Sequence, residues 1–338
     1  MDSRIRGNDD DSYAIAFRND PPQGEDVWIT PSRILSPTPY VIYPMSRPPA
    51  PDHMVSMTVQ RAITVPPKSR HQRVDGRAMV AFGPRGIRDM MQVAPARLLF
   101  PEGRDGDFPL AVTVTTCGGL TGGDRLALDI IVDPGVCATI VPQAAEKLYR
   151  ALDEDEPTRI DTRIAIGAGA TCEWLAQEAI LFDRSRMRRT LSADLAPDAR
   201  MLAMEMLVLG RGAMGETYQS GLIHDSWRIR RGGRLVWADA LHIEGDFATA
   251  GRVPFGFGDA SAVATLVYAG PDAADYLDLA RTLVEAPTGG ATSFDDLLIL
   301  RLTRNDPHAL RKDVMRAAGV LRAAIFGLSP SMPTICYC

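Results

Sequence analysis

The sequence predicts a mainly β protein built of stacked antiparallel sheets, with a small helical region near its C-terminal end. Two observations predict this class. From residue 77 onward, short runs rich in β-branched residues and in apolar–polar alternation follow one another, bounded by Gly, Asp or Pro. No helical pattern separates these runs, which favours stacked antiparallel sheets over βαβ units.

The predicted strands lie at a regular spacing along the chain. The run RIRRGGRLVW, in which Gly232 and Gly233 separate two alternating segments, is the strongest hairpin signal. The run at 201–210 has helical propensity, but its β neighbours favour a strand. In chain order the predicted strands are 77–82, 110–116, 125–132, 136–142, 159–166, 171–182, 187–195, 201–210 and the hairpin 226–245.

The C-terminal third carries the helical patterns. A helix is predicted from Pro271 to Glu285, and a second begins at Asp306-Pro307 and stops at Gly327. The apolar run 297–304 between them is interpreted as a buried strand.

Domain organisation follows from a change in composition. Residues 1–70 hold eleven of the 25 prolines and show little hydrophobic periodicity, so we interpret them as a disordered or loosely attached extension. Residues 71–330 form the predicted β-rich domain with its C-terminal helices, and residues 331–338 form an irregular tail.

Bulk properties exclude several classes. The net charge of −5 gives no reason to expect a nucleic-acid partner, and arginine clusters such as 184–189 alternate with apolar residues, as on solvated strand faces. No apolar run reaches the roughly 20 residues that span a bilayer. Five cysteines without CxxC spacing are typical of a reducing compartment. We therefore expect a soluble, cytoplasmic protein.

Two glycine-rich or acidic runs carry candidate chemistry. CGGLTGGD (117–124) lacks the Lys-Ser/Thr of a nucleotide-binding loop, which leaves a tight strand crossover, a partner-contacting loop or a backbone phosphate cradle. QAAEKLYR places Lys147 between Glu146 and Tyr149. Lys147 could serve as a base in this arrangement, or the charged residues could form local ion pairs.

The run TCEWLAQEAILF offers paired carboxylates. Regular alternation would place Glu173 and Gln177 on one face and Glu178 on the other, which speaks against an acid–base dyad. A hydrolase that uses these carboxylates, a polar lining or interface, and plain structural pairing all stay open.

Metal-binding patterns are sparse. The five histidines include no two spaced for joint ligation on one element, and a lone His beside a carboxylate, such as His224 or His242, is usually just hydrogen-bonded. No nucleophile elbow, zinc-protease or dinucleotide motif occurs. The residues alone therefore favour a binding or scaffold role.

An ordered series of motifs resembles one known family. GGLTGGD, PQAAEKLYR, EWLAQEAILFDRS, LGRGAMGE and WRIRRGGRLVWADAL follow in the order found in urease accessory proteins of the UreD (UreH) family. The resemblance covers Arg73–Gly327. It implies a flattened β-helix-like arrangement of the sheets and a protein that is not an enzyme.

The resemblance also implies partners and a cargo. Proteins of this family bind UreF, and through it UreG, and dock on the urease structural subunits, while nickel passes through a water-filled tunnel. No cofactor is expected to bind tightly, since nickel is only in transit. By motif position, the candidates for the tunnel lining or its support are Asp124, Glu146, Glu173, Gln177, Glu178, Glu205, Glu216 and Asp239.

Overall fold

The computed structural model describes residues 72–251, 256–284 and 288–337, so the predicted extension 1–70 lies outside the described residues. Within them the helices are α1 (Phe247–Ala250), α2 (Leu277–Thr282) and α3 (Pro307–Phe326). The strands are β1 (Asp75–Gly83), β2 (Gly86–Val93), β3 (Ala96–Leu99), β4 (Leu110–Thr115), β5 (Arg125–Val132), β6 (Cys137–Pro142), β7 (Glu146–Leu148), β8 (Thr158–Ile166), β9 (Thr171–Leu181), β10 (Arg186–Leu195), β11 (Arg200–Leu209), β12 (Ser220–Arg231), β13 (Arg234–Asp246), β14 (Ala262–Ala269), β15 (Gly289–Phe294) and β16 (Leu297–Arg304).

The strands form two sheets between which the chain winds. Sheet A has seven strands in the order β13-β12-β10-β8-β5-β1-β2. Sheet B has nine, in the order β15-β16-β14-β11-β9-β6-β4-β3, with β7 paired to β9. From β4 to β12 the chain passes from one sheet to the other and back. This alternation is a flattened β-helix, as the family resemblance implied.

The predicted direction of pairing was wrong for the interior of both sheets. Pairing is parallel along the interior strands of both sheets. These are β1-β5-β8-β10-β12 in sheet A and β4-β6-β9-β11 in sheet B. Antiparallel pairing is confined to the flanking strands, such as β12-β13 and β11-β14. The reason is the winding itself, because a strand that returns to its sheet after a full turn runs in the original direction.

Strand positions were predicted more successfully than their pairing. Each predicted run overlaps an observed strand, and the Gly232-Gly233 turn joins β12 to β13 with φ values of 55° and 80°. The strands β2, β3, β7, β14 and β15 escaped prediction. The helix predicted over 271–285 is a 3-10 turn followed by the six-residue α2, and its residue 285 lies outside the described residues.

Two apolar layers hold the molecule together. One lies between the sheets and includes Leu191 and Trp227 of sheet A against Trp174 of sheet B. The other lies between the outer face of sheet B and the helices, where Leu310 and Leu321 of α3 are fully buried. The result is a three-layer arrangement of sheet, sheet and helix.

Helix α3 begins and ends as its sequence predicts. The carboxylate of Asp306 caps the helix by accepting a hydrogen bond from the His308 amide at 2.9 Å, and Pro307 occupies the first turn. Gly327 ends the helix in the left-handed conformation with φ of 71°. Among the described helices, none is both long and apolar enough to cross a bilayer.

A buried ion pair fastens α3 to sheet B. The guanidinium of Arg322, fully buried, contacts both carboxylate oxygens of Glu173 at 2.9 and 3.0 Å. The same guanidinium donates to the backbone carbonyls of Ser329 and Ser331. The tail, predicted to be irregular, is therefore anchored, and it includes a 3-10 turn at Thr334–Tyr337.

Arg322→Ala should strongly destabilise the fold. Removing the guanidinium leaves the Glu173 carboxylate buried without its counter-charge, at a cost of about 3–5 kcal/mol in the free energy of unfolding. Urea denaturation followed by circular dichroism measures this loss. The matched control is Arg163→Ala, which breaks the exposed pair with Asp129 and should cost about 0–1 kcal/mol. Equal losses of unfolding free energy in the two variants would show that the Arg322–Glu173 pair does not stabilise the fold more than an exposed ion pair does.

A polar cavity between the sheets

The inward-facing layer between the sheets is interrupted by polar side chains. Apolar clusters fill it on either side, one around Leu191 and one around Met187 and Leu207. Between the clusters lies a cavity of about 340 Å³ that strands of both sheets line. The residues whose polar groups face it include Arg189 of sheet A and Glu205 of sheet B. This cavity is the candidate functional site.

Glu205 brings a carboxylate into the core. It occupies an inward position of β11, two residues from the buried Ala203 and two from the buried Leu207. Its side chain is 3% exposed, and the Trp174 indole nitrogen lies 3.4 Å from one oxygen. Burial raises the pKa of Glu205, and the nearby Arg189 charge opposes that rise.

Arg189 connects the two sheets through this layer. It donates to both oxygens of Asp225 on the neighbouring strand at 2.8 and 2.7 Å, and its Nε lies 3.3 Å from Glu205 on the opposite sheet. Burial alone would lower the pKa of Arg189, but the charges of Asp225 and Glu205 raise it. One guanidinium thus faces two carboxylates, which leaves one negative charge when both carboxylates are ionised.

Glu146 supplies a second carboxylate to the cavity. It lies on the short strand β7 and accepts a hydrogen bond from the Thr115 hydroxyl at 3.0 Å. Burial raises its pKa from an ordinary value of 4.5 to about 7, although the Thr115 bond acts in the opposite direction. The Glu146 carboxyl therefore exchanges its proton near neutral pH.

A β-bulge turns Gln177 into the cavity. In the register of β9 with β11, Leu175 pairs with Met204 and Glu178 with Met206, so β9 holds one extra residue at this point. The Gln177 amide nitrogen is buried and has no hydrogen-bond partner in the described protein. A buried donor of this kind requires a water molecule or a guest as its hydrogen-bond partner.

The same bulge overturns the predicted faces of β9. Glu173 and Glu178 lie together on the face that α3 covers, and Gln177 lies on the opposite face. Glu173 is bound by Arg322, and Glu178 forms an ion pair with Arg311. Neither carboxylate lines the cavity, and their part in a tunnel lining or its supporting network stays a prediction.

The remaining predicted acids also lie outside the cavity. Asp124 accepts the amide hydrogens of Val74 and Thr121, both at 2.8 Å, and so closes the glycine-rich loop as a strand crossover. Glu216 accepts the Asp183 amide at 2.6 Å and pairs with an arginine of its own loop. Asp239 pairs with Arg301 across the two sheets.

Arg189 was missed because its cluster was interpreted as solvated. Its side chain is 7% exposed, whereas Arg184 in the same cluster is 58% exposed. The run 187–195 contains the signal that could have found it. Arg189 lies two residues from Met187 and two from Leu191, and alternate residues of a strand share one face. A strand that turns Met187 and Leu191 toward the core therefore turns Arg189 toward it as well.

The cavity is not a preformed metal cage. Among the described residues, no group of three or more His, Cys, Asp or Glu side chains is placed to hold one metal ion. What the cavity offers a cation is carboxylate oxygen and other polar side-chain groups. Such donors bind borderline divalent ions less tightly than a cluster of imidazole or thiolate groups.

Comparison with known proteins identifies relatives along most of the described chain. A family model described as the UreD urease accessory protein matches residues 74–337, which extends beyond the motif region into the tail. The urease accessory protein UreD of Rhizobium etli is 41% identical over 258 residues, covering 75% of this chain and 93% of that protein. The UreD protein of Rhizobium rhizogenes is 41% identical over 270 residues, covering 79% and 96%. That of Paracoccus denitrificans is 40% identical over 255 residues, covering 75% and 90%.

Glu146→Gln should flatten the dependence of stability on pH. The folded protein keeps a proton on Glu146 up to about pH 7, whereas the unfolded chain releases it near the ordinary value of 4.5. The free energy of unfolding therefore falls as pH rises between these values. Glutamine does not titrate, so the variant gains stability relative to the unaltered chain as pH rises through this window.

Urea denaturation at several pH values from about 4 to about 8 measures this slope. Glu102→Gln, at an exposed loop position, is the control. A slope that is identical in the Glu146 variant and the unaltered protein would show that the carboxyl is not held in an environment that disfavours its charge.

Proposed function

Because the chain belongs to the UreD family of urease accessory proteins and thus to the urease maturation machinery, we propose that it conducts nickel to apo-urease through its inter-sheet cavity. The protein acts as a scaffold rather than an enzyme. It binds UreF, through UreF the GTPase UreG, and the urease structural subunits. The observation that carries the proposal is the cavity between two apolar clusters, which Arg189, Glu205, Glu146 and Gln177 line with polar groups.

The donor set of the cavity suits passage better than storage. A conduit must bind its ion weakly enough to release it, and Glu146, Glu205 and Gln177 offer oxygen ligands on separate strands. The guanidinium of Arg189 adds a fixed positive charge beside Glu205, which weakens any cation held there. No described group of three acidic, His or Cys ligands converges to retain the ion.

Protons and metal ions exchange in this cavity. A carboxyl whose pKa is about 7, such as Glu146, is partly protonated near neutral pH, so the empty cavity does not carry a full uncompensated charge. An arriving divalent ion displaces the proton, because only the carboxylate is a ligand. Passage is therefore favoured by mildly alkaline conditions.

An exposed apolar strand is evidence that another protein binds this chain. Both faces of β2, the edge strand of sheet A, are open to solvent, and Ile87, Met90, Met91 and Val93 are 38–45% exposed. Apolar side chains grouped on an unpaired edge are typical of a surface that another chain covers.

The alternative function, a hydrolase with paired carboxylates, gains no support from the site. Glu173 is fully buried and neutralised by Arg322, and Glu178 is paired with Arg311. Acid–base catalysis needs two carboxyls that face one substrate cleft, and these two share none.

The decisive experiment is activation of apo-urease by the complete complex. The full chain is co-expressed with UreF, UreG and the urease subunits of the same organism, and urease activity is measured after addition of Ni²⁺, GTP and bicarbonate. The test variant is Glu146→Gln/Glu205→Gln, which preserves side-chain size but removes both cavity carboxylates. Glu102→Gln is the matched exposed control.

The double variant is expected to form the complex and to lower the initial rate of activation about tenfold or more, a barrier increase of about 1.4 kcal/mol. The control should activate at the unaltered rate. A double variant that activates normally would show that the ion does not travel through the cavity. An unaltered chain that binds none of the partners would overturn the scaffold role itself.

A further inference from the structure

Two histidines meet on the outer face of sheet A. The register of the β12–β13 hairpin places His224 directly opposite His242, and their Nδ1 atoms lie 3.3 Å apart. Asp225, the next residue, faces inward to Arg189, so His224 faces outward. His242 is exposed to solvent. The pair is therefore accessible and lies on the opposite face of the sheet from the cavity.

The spacing of the two nitrogens fits one metal ion. Imidazole nitrogen binds Zn²⁺ at about 2.0–2.1 Å, so two such ligands at a tetrahedral angle lie about 3.3 Å apart. The rings are inclined by 70° with their centroids 5.3 Å apart. The separation of the two Nδ1 atoms thus matches that of two ligands on one ion.

Ligation by the pair requires a free lone pair on each Nδ1 atom. A neutral imidazole is the form that binds metal. When an ion binds to both Nδ1 atoms, the proton that lies between them moves through solvent to Nε2 of the same ring, so that each neutral ring then carries its single proton on Nε2.

From this geometry we infer that His224 and His242 form a bidentate surface site for a divalent transition-metal ion, with water completing the coordination. Imidazole ligands select Ni²⁺, Cu²⁺ and Zn²⁺ over Mg²⁺ and Ca²⁺. The site is separate from the cavity and does not depend on the proposed function.

The surrounding charges make the affinity modest. Arg188 pairs in register with His224 on the adjacent strand, and Arg228 lies on the same face, so both repel a cation. Glu244, the nearest carboxylate on this face of β13, is paired with Arg186. Because two guanidinium groups oppose the two imidazole ligands, the site binds its ion reversibly, and its occupancy follows the concentration of free metal.

The test measures Ni²⁺ binding by isothermal titration calorimetry to the full chain purified without a histidine tag. The variants are His224→Ala, His242→Ala and the double variant, and His308→Ala removes an exposed imidazole elsewhere as the control. Each single variant should weaken one binding event about tenfold or more. The double variant should lose little beyond either single variant, since a chelate is lost with its first ligand.

A second readout identifies the ligands. Electron paramagnetic resonance of bound Cu²⁺ should show two nitrogen donors in the unaltered chain and lose that signature in either single variant. Arg188→Gln should tighten Ni²⁺ binding about two- to threefold, because it removes a repelling charge. Circular dichroism confirms that each variant is folded.

Two outcomes would overturn the site. Affinities of both single variants within a factor of two of the unaltered chain would show that the pair does not bind the ion. Additive losses in the double variant would show two independent weak ligands instead of a chelate. Neither outcome bears on urease activation, which is measured separately.

Discussion

Each turn of the chain places one strand in sheet A and one in sheet B, and the other properties of the protein follow from this winding. Strands that return after a full turn are parallel to their predecessors, so the interior of each sheet is parallel. Every strand also acquires one inward and one outward face. The inward face builds the core and the cavity, and the outward face of β12 and β13 carries the histidine pair.

The polar layer between the sheets is costly and requires compensation. Burying Arg189, Asp225 and Glu205 removes ionisable groups from water, and their mutual contacts, with the Trp174 indole beside Glu205, offset that cost. An apolar layer of the same volume would serve stability equally well or better. Retaining a polar layer inside a sandwich is therefore best explained by a function that needs one.

The outer side of sheet B shows the opposite use of charge. There the ion pairs Arg322–Glu173 and Arg311–Glu178 fasten α3 to the sheet, and the carbonyls of the tail add to the first of them. These carboxylates are neutralised in place. The same strand, β9, thus carries structural acids on one face and the cavity-lining Gln177 on the other, because a single bulge changes its alternation.

The sequence by itself determined the strand runs, the Gly232-Gly233 hairpin and the limits of α3, since periodicity, turn glycines and caps act over a few residues. It also led to Glu146, from the polar run that holds it and from the family resemblance, and to Glu205 through the resemblance alone. Tertiary structure decided the parallel pairing, the inward position of Arg189, the turn of Gln177 into the cavity and the meeting of His224 with His242. Those features depend on which distant strands become neighbours and on the one extra residue in β9. Sequence patterns that extend over a few residues specify neither of these.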